Sequence, residues 1–422
     1  MTYDVIVIGG GTSGMMAAVS AAENGANTLL IEKNKKLGKK LLLTGGGRCN
    51  VTNNREPEDI IQHIPGNGKF LYSAFSQFDN HQIMAFFEEN GVSLKEEDHG
   101  RMFPVSDRSK SIVECLQTKM LELGVTIQQA DPVKRLLIED QRIVGVQLDS
   151  GDRQIAPCVI VSTGGRTYQQ TGSTGDGYRF AKKAGHTVTP LFPTEAPLLS
   201  KESFIQNKTL QGLALQDIKL SVLNTKNKEI VSHEMDMLFT HFGISGPAAL
   251  RCSMFVNKEL EARESVTLVL DALPNKSQAQ LVSEFAQRRA ESEQKSIKNA
   301  LKNMLPERYL DFLISQTEID SSATIKSLNE KDRDQLIDLM KAFPIEINGT
   351  WPIEKSFVTG GGISLKEINP KSMESKLVSG LFFTGEVLDV NGYTGGYNIT
   401  AAFVTGHVAG KHAAEIASYY NY

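Results

Sequence analysis

Three glycines and one acid carry the first chemistry legible in this chain. Gly9, Gly11 and Gly14 stand in the spacing Gly-x-Gly-x-x-Gly directly after the apolar run Val5–Ile8. Such spacing suits a tight turn, a backbone that must approach a pyrophosphate, and a helix packed closely on the preceding strand. Thr12 and Ser13 open that helix, whose free N–H groups and positive end favour phosphate. Residues 27–31 form a second apolar run closed by Glu32, an acceptor placed for ribose hydroxyls. Strand, turn, helix and acid together predict a dinucleotide site.

Further residues cluster around later glycines. Residues 33–40 form a basic loop; a charge run is usually a solvated face, but its place after Glu32 brings Lys33 and Lys40 within reach of the ligand. Gly45, Gly46 and Gly47 precede Arg48, Cys49 and Asn50, a pattern for backbone held against a ligand with its N–H groups turned inward. Arg48 and Arg166, in or beside glycine loops, can bind an anionic substrate or a pyrimidine edge; a phosphate or surface contact is the alternative. His241 can handle a proton near neutral pH or be an ordinary structural histidine. Gly243-Ile-Ser-Gly-Pro247 has proline where a nucleophile elbow needs glycine, so no hydrolase follows.

These residues must be positioned by a large fold. At 422 residues the chain has room for two or three domains of about 100–200 residues. A net charge of −4 makes no general case for nucleic acid, and four scattered cysteines without Cys-x-x-Cys argue against a zinc site and for a reducing cytoplasm. No signal peptide or membrane-spanning run is visible. Helices are expected at 79–90 and 109–123, a third parallel strand at 125–128, and a meander over 133–156. The apolar run 158–162 ends in Thr163-Gly164-Gly165, and a loop containing Asp176 opens another helix. Short β-like runs fill 190–273 and charged helical segments fill 276–343. Residues 380–386 then form a strand ending in Gly385-Glu386, followed by a glycine-rich turn and an Ala-rich helix.

The order of these motifs resembles the FAD-binding flavoproteins of the glutathione-reductase-like superfamily. Thr163-Gly164-Gly165 matches its second element, and Gly385-Glu386 its ribityl-binding Gly-Asp, with the carboxylate moved about one methylene. Thr44-Gly-Gly-Gly-Arg-Cys-Asn-Val-Thr-Asn53, Arg101-Met-Phe-Pro104, Thr240-His-Phe-Gly-Ile-Ser-Gly-Pro247 and the block 386–398 are more specifically similar to the BaiN-like (YhiN-like) bacterial flavoproteins, some described as aminoacetone oxidases.

The resemblance implies an α/β fold: a discontinuous Rossmann-like FAD-binding domain over 1–189 and 345–422, an inserted β subdomain over 190–275 and an inserted helical subdomain over 276–344. It implies non-covalent FAD held by Gly9, Gly11, Thr12, Ser13, Gly14, Glu32, Lys33, Lys40, Gly45, Gly46, Gly47, Cys49, Asn50, Val133, Thr163, Gly164, Asp176, Gly385, Glu386, Gly396, Tyr397, Asn398 and Ile399, with no metal. His241 and Arg48 are the candidate catalytic groups. Disulfide oxidoreductases of the superfamily carry a second cysteine five positions on, where this chain has Asn54. That leaves Cys49 as a packed residue, the reading preferred here, or an active thiol. No second nucleotide fingerprint exists, so NAD(P)H would dock only transiently as a donor. Redox chemistry on a small organic molecule follows, with a slight preference for an activated C=C bond. Oxidation of a small amine or alcohol with O₂, and action on RNA or a protein partner, stay open. The insert is expected to set substrate choice through His241 and Phe242. The purified protein should be yellow, with one FAD per chain released on denaturation and measured by its absorbance; a colourless protein that takes up no added FAD would overturn this assignment.

Overall fold

Val5–Ile8 (β1) is buried at every position, as a central strand covered on both faces must be. In the computed structural model, which describes residues 3–320 and 322–420, β1 pairs in parallel with Thr28–Glu32 (β2) and Cys158–Val161 (β4). Thr126–Gln129 (β3) extends the sheet beyond β2, and Leu381–Phe383 (β5) extends it beyond β4, giving the order β5-β4-β1-β2-β3 with all pairings parallel. The chain divides into two compact units, one running to Phe192 and resuming at Phe357, the other comprising Pro193–Ser356.

In the first unit, helix Thr12–Glu23 (α1) is buried from Ser13 to Ala21. Its partner is Tyr397–Ser418 (α2), and the contact is made by glycine: a Cβ at Gly406 would strike the Ser13 carbonyl, and one at Gly410 the Ala17 carbonyl. Ser20 Oγ seals the approach by donating to the His407 carbonyl at 2.8 Å. The meander expected over 133–156 is an antiparallel sheet of Val133–Glu139, Arg142–Leu148 and Arg153–Ile155. Helix Asn80–Glu89 starts at a capping box, with Gln82 N donating to Asp79 Oδ1 at 3.0 Å and Asp79 N to Gln82 Oε1 at 2.9 Å. The mixed stretch between the two predicted helices is a hairpin, Leu94–Glu97 against Arg101–Pro104.

The second unit is a seven-stranded antiparallel sheet in the order Phe343–Ile347, Val266–Asp271, Ala214–Leu223, Glu229–Phe239, Gly243–Ser245, Leu198–Leu199, Gly349–Thr350. Its central hairpin is longer than the sequence pattern suggested. Register shifts between Leu215 and Ile218, where Asp217 takes φ +49°, and between Val222 and Leu223 break the period-two alternation that would have revealed it. Pro247–Leu260, in a region expected to be β, is a helix begun by proline at its first position. Because Phe343–Ile347 is a strand of this sheet, the second unit continues to Ser356, past the return at 345 expected from sequence. Leu220, Phe239, Leu268 and Ile345 of the sheet share one apolar core with Leu281, Phe312 and Leu336 of helices Gln278–Glu291, Glu307–Ser315 and Glu330–Lys341.

His407, on α2, stacks on Phe78 with centroids 4.0 Å apart and an interplanar angle of 11°. Burial, helped by Lys411, pushes its imidazole down to about 4. A histidine kept neutral in the fold contributes stability that is complete above its unfolded value of about 6.5 and is lost as the pH falls towards the folded value. Burial lowers His186 in the same direction. His407→Phe, which retains the stack, is therefore expected to remove about 2 kcal/mol of the stability lost between about pH 6.5 and pH 4. Urea unfolding followed by circular dichroism at the two ends of that window measures the difference; an unchanged acid loss would contradict it.

Candidate functional site

The glycines after β1 do different work. Gly9 has φ +105°, and a Cβ there would press on the Ser162 carbonyl oxygen at 2.5 Å; one at Gly14 would strike the Gly9 carbonyl. Those two hold strand, turn and helix together. Gly11 has an ordinary φ of −86°, and an added Cβ would meet nothing within 4 Å. Its backbone faces open space beside Thr12 and Ser13 at the start of α1. Glu32 is buried: Oε2 accepts from Gly10 N at 2.8 Å, while Oε1 accepts from Asn34 N at 2.8 Å and Asn34 Nδ2 at 2.7 Å. The acid thus braces the turn as well as marking the end of β2.

Gly45, Gly46 and Gly47 take φ of +57°, +66° and +89°, and a Cβ at Gly46 or Gly47 would again meet nothing within 4 Å. The structure does not leave Arg48 facing that space. Its guanidinium donates to Glu97 at 2.8 and 2.9 Å and to Asp107 at 3.2 Å, and lies 4.2 Å from the Phe103 ring centroid. Two carboxylates pair with it, so Arg48 ties the glycine loop to the hairpin and to Asp107 just beyond it. Cys49 is fully buried, and desolvation pushes its thiol up to about 12 despite a hydrogen bond to Thr44. Asn50 is buried, and its Oδ1 has no partner; it lies 3.0 Å from where a Cβ on Gly396 would sit.

The other predicted residues converge from later in the chain. Thr163, after β4, has a buried Oγ1 without a partner, and Gly164 beside it takes φ +71°. Lys33 Nζ donates to Thr174 Oγ1 at 2.6 Å and Asp176 Oδ2 at 2.7 Å. Burial works against the Asp176 charge, yet Lys33, Thr174 and Arg179 hold its carboxyl below the usual range. Lys40 Nζ donates to Thr167 Oγ1 at 2.6 Å and Glu386 Oε2 at 2.7 Å, and Glu386 Oε1 accepts from Thr359 N at 2.9 Å. Burial again opposes the charge, and Lys40 with Thr359 keeps the Glu386 carboxyl low. Both lysines expected at the ligand are therefore paired with acids expected there too. Thr167 is a lone threonine to which no spacing rule applies, whereas Thr359 opens the glycine run Thr359–Gly362 and acts here through its backbone N–H. Val133 is buried at the start of the meander.

Gly385 N donates to Thr405 Oγ1 of α2 at 3.0 Å. Gly396 caps α2 with φ +96°, Tyr397 stacks on His63 at 4.6 Å, and Ile399 lies part-exposed in the first turn. Asn398 closes the preceding loop, accepting from Gly392 N at 2.8 Å and donating to Gly392 O at 2.7 Å. His241 belongs to the second unit, exposed on a turn with its ring edge-on to Phe242 at 5.0 Å.

Open-faced backbone at Gly11, Gly46 and Gly47, the orphaned oxygens of Thr163 and Asn50, and two helix starts suit a long ligand with a phosphate end and a polar heterocycle. The donor set fits FAD. Among the described residues no cluster of His, Cys, Asp and Glu could hold a metal ion, and no helix is long and apolar enough to cross a membrane.

Known proteins carry the same pattern. The HI0933-like protein Rossmann domain matches residues 3–412. The chain is 30% identical over 383 residues to the 3-dehydro-bile acid delta(4,6)-reductase of Clostridium scindens, covering 90% of this chain and 91% of that protein. It is 31% identical over 405 residues, 95% of both chains, to the ribosomal RNA dihydrouridine synthase of Escherichia coli K12. In fold it is similar to the 3-ketosteroid delta1-dehydrogenase of Sterolibacterium denitrificans, with a TM-score of 0.52 at 13% identity over 98% of this chain and all of that one.

The contrast among the glycines yields a test. A Cβ at Gly11 meets no protein atom within 4 Å, so Gly11→Val should fold with near wild-type stability while its FAD affinity falls by roughly 100-fold or more, about 2.7 kcal/mol. Gly14→Val should instead cost solubility or thermal stability. Cys49→Ser should retain FAD and turnover, since the thiol carries no charge near neutral pH. Flavin-to-protein absorbance ratios and melting curves read all three; FAD retained in Gly11→Val would remove the pyrophosphate assignment.

Proposed function

The chain belongs to the HI0933-like family of FAD-dependent oxidoreductases, and from that premise we propose that it reduces a carbon–carbon double bond conjugated to a carbonyl. When bound, FAD supplies the hydride at its N5. The chain's part is to hold and tune it. Backbone N–H groups at the start of α1, approached past Gly11, meet the phosphates. Thr163 Oγ1 and Asn50 Oδ1 gain the partners they lack, and the positive end of α2 favours negative charge developing on the bound ring.

One observation supports this reaction above the alternatives. Two relatives aligned over nearly the whole chain are named for unlike substrates, a bile acid and an RNA, yet for one kind of chemistry. A 3-dehydro, delta(4,6) compound has its double bonds in line with a 3-oxo group, and dihydrouridine is a uracil ring that has lost the double bond conjugated to its carbonyl. Conjugate addition of hydride, at the carbon β to the carbonyl or at its vinylogous δ position, describes both.

Between the two substrates we favour the uracil ring, supported by the relative that covers 95% of both chains. The net charge of −4 argues only against broad electrostatic binding of nucleic acid; it is silent on a base gripped locally by stacking. Anaerobic stopped-flow spectroscopy tests both parts. The flavin is reduced with NADH, NADPH or light and mixed with uridine-containing RNA or a 3-oxo-4-ene steroid. Reoxidation by the RNA in the absence of O₂ is the expected outcome. Reoxidation by O₂ alone, coupled to loss of a small amine or alcohol, would replace this reading with an oxidase.

A further inference from the structure

Phe242 and the chain's only tryptophan, Trp351, stand apart from the apolar core of the second unit. Their centroids are 5.0 Å apart with an interplanar angle of 45°, and His241 meets Phe242 edge-on at 5.0 Å and 78°. His241 is exposed; Phe242 and Trp351 are half-buried. Lys355 Nζ, also exposed, lies 5.9 Å from the Trp351 ring centroid. Three rings and one ammonium thus gather in one part-exposed cluster outside that core.

The backbone beneath them is built with care. Thr240 Oγ1 accepts from Phe242 N at 3.3 Å and Gly243 N at 3.1 Å, and donates to Gly243 O at 3.0 Å. Gly243 takes φ +154°, and a Cβ there would strike the Leu198 carbonyl. Ser200 N donates to Phe242 O and Trp351 N to Pro197 O, each at 3.0 Å, so both aromatic segments are fastened to the chain at 197–200. Backbone fastened in this way leaves less chain to be fixed on binding, which lowers its entropy cost.

We propose that His241, Phe242 and Trp351 form a stacking platform for a pyrimidine base, with Lys355 beside it for the attached phosphate. Aromatic faces flanked by a cation are the means by which proteins grip unpaired bases. The inference rests on the uracil reading above and names residues of the second unit that grip a base of the RNA substrate. It gives His241 a binding role, not a proton-transfer role.

The single tryptophan makes the platform its own reporter. Holoprotein is titrated with oligouridylate, uridine monophosphate and a 3-oxo-4-ene steroid while indole emission is followed. Saturable quenching by both pyrimidine ligands, tighter for oligouridylate, is expected. Phe242→Ala and Phe242→Leu, each retaining FAD, should weaken it by roughly 10-fold. Absence of quenching by the pyrimidine ligands, quenching by the steroid alone, or undiminished quenching in both variants overturns the platform. Emission is read without turnover: base binding with no flavin reoxidation would defeat the reaction and leave the platform standing, and reoxidation by RNA without quenching would do the reverse.

Discussion

Carbonyl oxygens of α1 lie directly against α2 because Gly406 and Gly410 place no side chain between the helices. Much else in the first unit follows from that approach. With α2 so close, Ser20 can bond the His407 carbonyl, and Thr405 can reach Gly385 at the end of β5. Gly14 likewise brings α1 against the Gly9 carbonyl just past β1 and near Ser162 just past β4. Strand ends and helix starts thereby converge on one rim, and what faces the ligand is mainly peptide backbone. A larger residue at any of these contacts would separate the layers, and the phosphate-binding N–H groups would move with them.

That arrangement also explains why the charged residues of the site behave as they do. Lys33 with Asp176, Lys40 with Glu386, and Arg48 with Glu97 and Asp107 neutralise one another across loops. The Lys33–Asp176, Lys40–Glu386 and Arg48–Glu97 pairs are part-buried, where an unpaired charge would be costly, while Asp107 is exposed. Their work is to fix glycine loops that have no side chains of their own to pack.

How much of this was legible in the sequence depends on the kind of rule involved. Gly9, Gly11 and Gly14 were legible, with their separate duties, because their spacing maps onto backbone geometry within one turn. The Lys40–Glu386 pair was illegible: its members are 346 positions apart, and only the folded sheet joins them. For Arg48 the sequence left a receptor and a surface contact both open, because a lone arginine beside glycines cannot disclose that Glu97 and Asp107 stand opposite it. In the second unit, bulges hid a long hairpin and Gly246-Pro247 disguised a helix start as a loop. The strands β1, β2, β4 and β5 were visible because fully buried parallel strands are largely apolar runs, which no bulge interrupts; β3, at the sheet edge, is part-exposed and carries two glutamines.

The interrupted path of the chain has a consequence for its synthesis. Ser20 and His407, which bond to each other, are 387 positions apart, and β4 finds its outer neighbour only at Leu381–Phe383. The second unit draws its core from one continuous stretch, Pro193–Ser356. On the ribosome that stretch can close while the earlier strands still hold an open sheet edge and α1 lacks its cover. Contacts of such long range are the slow ones, and an unfinished parallel sheet is the species most exposed to mispairing. Coenzyme capture is then among the last events of biogenesis, and the half-built first unit is the form that chaperones would meet.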